Sequence, residues 1–533
     1  MKYTEKDSKD PIPVRLEYSL TKSVGKFSAA TLISRVSGLI REAVIAAVFG
    51  AGRVTDAFYV AFRIPNLLRD LFAENALSAA FVPVFTESLT KKSKENAFRL
   101  AYTTVNVLLI FVGGIVILGM VFAPYITKAI AYGFTEEAGK LQLTTTLTRL
   151  LFPFLLLISL AALCMGILNS FGKFFIPALA PTGFNLALIA AGFLIAPLMP
   201  KIGAEPIVAM AIGALIGGFL QIFIQLPQSL NSGLRYKPIL DLKDPKFRKV
   251  ISLFFPVTFG LVATKVNIAV NTFLASLLEE GSISYLTYAY RVYTFPLGLF
   301  GIAVSTVALQ SFSKEAALAD KSKLKDTLSR SLRLVLFLTI PASVVLIALS
   351  RPIIKLIYEH GEFTSAFTNA TSDALILYSI GIFAVSTVKV LASCFYSLKD
   401  AKTPMRTSFL TVASNIALNL LLMRTLRFRA FALSASVAAI INATLLFFLI
   451  GKKIKLDKLQ LCIYSIKVVT ISIVMGWVQW LVHCKLEGVL QPEFLYQVIA
   501  LFTSISVGVI TFSVLSKIFR IEEINLIGKI WRT

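Results

Sequence analysis

SRVSGLIREAVIAAVFGAG, residues 34–52, and TDAFYVAFRIPNLLRDLFAENALSAAFVPVF, residues 55–85, decide how this chain is read. Each sits in an apolar run long enough to cross a bilayer, which takes roughly 20 residues. Yet the pair carries Arg35, Arg41, Glu42, Asp56, Arg63, Arg69, Asp70 and Glu74. An arginine at the centre of a lipid-facing helix costs roughly 2.5–3.5 kcal/mol on insertion scales. Charges in this number must therefore face protein, one another or water.

Working outward, apolar runs recur near 28–50, 55–86, 100–123, 144–168, 177–198, 205–228, 247–277, 283–312, 330–350, 370–396, 404–424, 429–450, 459–483 and 495–518. These predict an all-α polytopic membrane protein of fourteen spans. Composition agrees: 56% of the 533 residues are hydrophobic and 15% charged, against about 25% charged in soluble chains. A large soluble enzyme and a single-anchor protein are both excluded. Residues 1–27 are polar and basic and carry no cleavable signal.

The formal charge of +24 would suggest nucleic acid in a soluble protein. Here the basic residues fall in alternate short loops, such as Lys91, Lys92, Lys94 and Arg99, then Arg235, Lys237, Lys243 and Lys246. Orientation by the positive-inside rule accounts for them, puts both termini in the cytoplasm and leaves no nucleic-acid partner. Arg424, Arg427 and Arg429 break the alternation, since they fall on the expected outside. Four scattered cysteines and two histidines form neither a disulfide framework nor a metal site, and no cofactor is expected.

Ser170-x6-Pro177 after the fourth span and Ser397-x6-Pro404 after the tenth form a weak internal repeat. It divides the chain into an N-terminal segment (1–27), an N-lobe (28–228), a basic linker (229–246), a C-lobe (247–450) and a final pair of helices with the tail (451–533). Transporters built from such repeats hold their site at the repeat interface.

The second lobe repeats the charge pattern with Lys265, Arg291 and Lys389. Glu42 and Glu74 are expected to neutralise neighbouring arginines and hold their forks. Arg35, Arg41, Arg69, Arg291 and Lys389 then exceed the acids that could pair with them. A net positive cavity suits an anionic ligand, and arginine binds phosphate oxygens two at a time. Lys265 is expected to serve as a built-in cation held by Asn415 or Asn419. No GxSxG, P-loop, HExxH or acid cluster with metal spacing occurs, so no enzyme chemistry is expected.

Residues 34–85 closely resemble the signature of the MurJ (MviN) family of lipid II flippases, in the multidrug/oligosaccharidyl-lipid/polysaccharide exporter superfamily. The resemblance continues through FPFLLLISLAALCMGILNSFGKFFIPALAPTGFN (152–185), YRVYTFPLGLFGIA (290–303), GEFT (361–364) and VKVLASCFYSLKDAKTP (388–404). It implies two six-helix lobes plus two C-terminal helices, and alternating access that moves lipid II between leaflets of the bacterial cytoplasmic membrane. Lipid II, membrane lipids and other peptidoglycan-synthesis proteins are the partners it implies. Functional positions of the family match Arg35, Arg41, Glu42, Asp56, Arg69, Glu74, Arg291 and Lys389. The chain departs from the family at Asp70, where a second arginine is common, and at Tyr290, where an acid often stands. Some members bind sodium through an acid in the seventh helix. This chain has Lys265 and Asn267 there, with Asn415 and Asn419 in the eleventh, so the metal expectation is none. The alternatives are a multidrug or other polyprenyl-linked oligosaccharide exporter of the same superfamily, of which the multidrug one would need intramembrane acids, and a non-transporting envelope-assembly scaffold, which would have no use for surplus cations.

Overall fold

The structure, a computed structural model, describes residues 12–70, 75–91, 93–454, 456–489 and 493–525. Nineteen α-helices follow in chain order: α1 (Ile12–Phe49), α2 (Arg53–Arg69), α3 (Asn75–Lys91), α4 (Lys94–Val121), α5 (Ala123–Ile130), α6 (Lys140–Ser170), α7 (Phe175–Ala190), α8 (Val208–Asn231), α9 (Pro245–Ser276) and α10 (Ser282–Pro296). Then come α11 (Ala303–Ala317), α12 (Lys321–Ala348), α13 (Ser350–Tyr358), α14 (Ser365–Ser379), α15 (Ile382–Ser397), α16 (Lys402–Leu426), α17 (Arg429–Lys453), α18 (Lys458–Val489) and α19 (Phe494–Ile518). No strand occurs among the described residues.

Eleven helical stretches are long and apolar enough to cross a membrane. The remaining expected spans, 28–50, 55–86 and 247–277, fold as α1, as α2 with α3, and as α9. All three carry charge in their apolar stretches: Arg35, Arg41 and Glu42 in α1, Asp56, Arg63 and Arg69 in α2, and Lys265 in α9. α1 also begins at Ile12, within the segment expected to precede the first span.

The chain packs as two compact units, residues 1–49 with 57–266, and 50–56 with 267–533. In the first, α6 lies against α4 and α8, and α7 against α1 and α8. Phe81, Phe85, Phe98 and Phe152 fill one of its cores. In the second, α12, α15 and α17 bury Phe312, Leu328, Val335 and Leu391, while α12 and α18 close over Phe337, Ile471 and Met475. Large apolar side chains such as Ile110, Ile117, Phe223 and Ile510 stay exposed. In water that would be a liability, but it is what a lipid-facing surface requires.

The ends of the helices are tied by polar caps. The Ser93 hydroxyl accepts from the Asn96 amide at the start of α4, and the Asp320 carboxylate accepts from Lys323 at the start of α12. Asp400 accepts from the amide and hydroxyl of Thr403 and pairs with Lys453. The lysine, first among these partners, holds the Asp400 carboxyl down to about 2. That links the α15–α16 turn to the end of α17.

Close helix crossing depends on small residues. A Cβ at Gly217 of α8 would lie 2.7 Å from the Phe184 ring and 2.9 Å from its Cα. Gly217→Leu is therefore expected to destabilise the first unit by about 1–3 kcal/mol through overpacking, read as a lower thermal midpoint in detergent. Gly114→Leu on α4, with no atom within 4 Å of its added Cβ, is the control and leaves the midpoint unchanged. Equal midpoints for both variants would refute the tight crossing.

Candidate functional site

α1 turns Arg41 inward beside α2 and α7, and the residue is 8% exposed. A guanidinium taken out of water needs a counter-charge and acceptors for its hydrogens. Its Nη2 pairs with the neighbouring Glu42 carboxylate, and Nη1 donates to Asn185 Oδ1 of α7 at 2.9 Å. The other carboxylate oxygen of Glu42 accepts from the Tyr59 hydroxyl at 2.7 Å. Asn185 in turn donates to the Ser37 hydroxyl at 2.9 Å and the Ser34 carbonyl at 3.1 Å, which orients its amide. The Phe184 ring centre lies 5.6 Å from the guanidinium carbon, within cation–π range. Of its nitrogens, Nε alone is enclosed without a partner among the described residues.

Past the end of α2, Asp70 is shared by two cations. Arg69 reaches it through Nη2 at 3.1 Å and Nε at 3.3 Å, and Lys265 of α9 pairs with its other oxygen. This corrects the expectation for Lys265: its ion pair goes to Asp70. Asn415 and Asn419 meet Asn271 instead, which donates to Asn415 Oδ1 at 3.1 Å and accepts from Asn419 at 2.8 Å. An ammonium in an apolar helix is held far better by a carboxylate than by neutral amides, so the lysine follows the acid. The amides are left as a neutral ladder between α9 and α16, with Asn419 Oδ1 unpartnered. No carboxylate stands in that ladder. Among the described residues no group of His, Cys, Asp and Glu has metal-site spacing.

In the second unit Asp56 is 1% exposed and caps α10. Its carboxylate accepts from the amides of Gly281 at 2.8 Å and Ser284 at 2.9 Å, and from the Ser284 hydroxyl at 2.7 Å. Glu280 reciprocates by accepting from the Arg53 amide at 2.6 Å. The Tyr288 hydroxyl donates to the carbonyl of Gly50, whose φ of +66° favours glycine. Arg291 on α10 is exposed, and Lys389 on α15 is half-buried with no ion pair among the described residues.

Arg35 is exposed and takes no part in the Arg41 network. Glu74 lies outside the described residues. Two of the three arginines that break the loop alternation meet acids where they stand: Arg429 pairs with Asp373 at 2.6 Å, and Arg427 approaches Glu279 at 3.9 Å. Tyr59, Asn185, Ser284, Asn271 and the counter-ion role of Asp70 were missed by the sequence reading. Only Asp70 left a signal, as a lone acid in an apolar stretch that also holds Arg69.

A family model described as lipid II flippase MurJ matches residues 45–502. A "probable lipid II flippase MurJ" of Buchnera aphidicola is 34% identical, covering 96% of this chain and 99% of its own length. A solved structure titled as the lipid II flippase MurJ in an inward closed conformation is 32% identical, with TM-score 0.77, covering 92% of this chain and 98% of that one. An inward-facing multidrug-resistance transporter of the MATE family in the MOP superfamily, at 12% identity and TM-score 0.66, covers 81% of this chain and 98% of its own, and shares the fold alone.

Breaking a fully buried ion pair from one side costs about 3–5 kcal/mol, and for this partly exposed pair, at 15% and 22%, the cost falls to about 1–2 kcal/mol. Asp70→Asn is expected to lose that much stability, and Asp70→Asn with Lys265→Met to recover most of it. Additive losses in the double variant, by thermal unfolding, would show that the two residues are not coupled.

Proposed function

Because the chain belongs to the family of the lipid II flippase MurJ, we propose that it carries lipid II from the inner to the outer leaflet of the cytoplasmic membrane. It is a multi-span transporter rather than an enzyme. The observation that supports an anionic cargo is the unmet donor of Arg41: its fork is fixed by Glu42 and Asn185, and its buried Nε–H has no acceptor among the described residues. A phosphate oxygen supplies one. Lys389, half-buried and outside any ion pair among the described residues, is a second donor in an apolar helix.

In this reading Arg41, Arg69, Arg291 and Lys389 replace the hydration of the diphosphate while the polyprenyl tail remains in lipid. A phosphate charge crossing the hydrocarbon core unaided faces a large desolvation penalty. Fixed cations lower that penalty, and alternating exposure to the two sides makes the passage directional. Arg35 is exposed on the same helix, less than two turns before Arg41, where it would meet the headgroup first. Glu42 and Asp70 position their cations, and Asp56 holds the start of α10, the helix that carries Arg291. Both termini lie in the cytoplasm, on the side of the basic loops. Envelope-assembly proteins that supply the lipid-linked precursor or consume it are the further partners.

Arg41→Ala and Arg291→Ala are each expected to abolish complementation of a depleted strain while the protein stays inserted and abundant. Arg41→Lys keeps the charge but loses the two-pronged geometry, and retains partial function. Normal lipid II exposure on the outer leaflet in either alanine variant would remove that residue from the site. Normal exposure after depletion of the unaltered protein would overturn the transport reading itself.

The neutral Asn271–Asn415–Asn419 ladder leads to a second expectation. Replacing sodium with potassium at constant membrane potential leaves the flipping rate unchanged. A large fall in rate without sodium would overturn it.

A further inference from the structure

Away from the transport residues, a cavity of about 220 Å³ opens between α12, the start of α18 and the segment that follows α19. Its polar lining carries both signs of charge. Glu523 is 6% exposed, and its Oε2 has no hydrogen-bond partner among the described residues. Arg333 of α12 also lines the cavity, and its enclosed Nε is likewise without a partner. The Arg333 guanidinium lies 5.4 Å from the Tyr464 ring centre, and the Tyr464 hydroxyl donates to the Arg333 carbonyl at 3.3 Å. Lys467 and Arg520, both exposed, complete the basic rim.

Arg520 has φ of +54°, in the left-handed region. The turn is closed by the Ile521 amide donating to the Ser516 carbonyl at 2.9 Å. Helices that end in this way usually place glycine there, whereas this one sets a cation at the cavity mouth. Beside the rim the surface turns apolar at once, with Ile463, Ile466, Ile518 and Phe519 all exposed.

A buried carboxylate oxygen and a buried guanidinium nitrogen, each unpartnered in one cavity, call for a ligand that offers both charges. We propose that this cavity binds the headgroup of an aminophospholipid. The phosphodiester faces Arg333, Lys467 and Arg520, the primary ammonium meets Glu523 Oε2, and the acyl chains lie along Ile463, Ile466 and Phe519. A phospholipid without an amine would satisfy the cations but leave the Glu523 oxygen buried and unmet. Free phosphoethanolamine would carry both charges but leave the apolar surface uncovered. The site lies on the membrane face that bears the basic loops, and it would clamp the ends of α18 and α19 to that leaflet.

The test uses the full chain, stripped of lipid in detergent and titrated with phosphatidylethanolamine or phosphatidylglycerol under native mass spectrometry. Phosphatidylethanolamine is expected to bind about tenfold more tightly, the scale of one charge-assisted hydrogen bond. Glu523→Gln removes that preference and leaves phosphatidylglycerol binding unchanged, and Arg520→Gln weakens both lipids. Equal binding of the two lipids by the unaltered chain, or a preference that survives Glu523→Gln, overturns the proposal. Free phosphoethanolamine is expected not to bind at the same concentrations, and binding as tight as the lipid's overturns the lipid assignment. Should Glu523→Gln fail to fold, Lys467→Gln at its exposed position is expected to weaken both lipids about threefold, and no change overturns the basic rim.

Discussion

A guanidinium inside an apolar helix bundle has to be met by an anion and by acceptors for its remaining hydrogens, and the first unit is arranged around that requirement at Arg41. Glu42 supplies the charge, but a carboxylate beside an arginine on one helix cannot by itself complete the fork. Asn185 on α7 and Tyr59 on α2 do so, with Ser37 turning the Asn185 amide. Three helices are thereby held in one register by polar contacts. The apolar packing around them, with Gly217 letting α8 close on Phe184, supplies area without direction. In a lipid environment, where association of apolar helices gains little from the hydrophobic effect, the polar contacts decide which faces meet.

Asp70 extends the same logic. One carboxylate serves Arg69 and Lys265, and so ties the end of α2 to α9. Removing water strengthens each of these contacts and raises the penalty for leaving any of them unmade. That is why unmet donors and acceptors are informative here. Arg41 Nε supports an anionic cargo, and the pair Arg333 Nε and Glu523 Oε2 supports a zwitterionic lipid at a separate place. Asp56 and Glu280 carry the principle to helix ends, where each caps the start of the other's helix.

The loop arginines show how a statistical rule and a local structure fit together. Arg427 and Arg429 are an excess of positive charge where the alternation of basic loops predicts none. Paired with Glu279 and Asp373, they present little net charge to the membrane field. Nothing in the linear order announces these pairs, since Arg429 and Asp373 stand on different helices.

The run of apolar segments determined the class of the protein, because hydrocarbon admits only stretches that satisfy their own backbone. The charged residues 34–85 marked where polar contacts inside the helices have to form, since a charge taken out of water needs a partner. Partner choice was a different matter. Lys265 was expected beside Asn415 or Asn419 and pairs with Asp70, and the asparagines satisfy one another through Asn271. Only tertiary structure decides this, because a buried charge takes whichever counter-charge the packing brings within reach. That reach is set by helix rotation and crossing, which depend on small residues such as Gly217 and leave no periodic trace in the sequence.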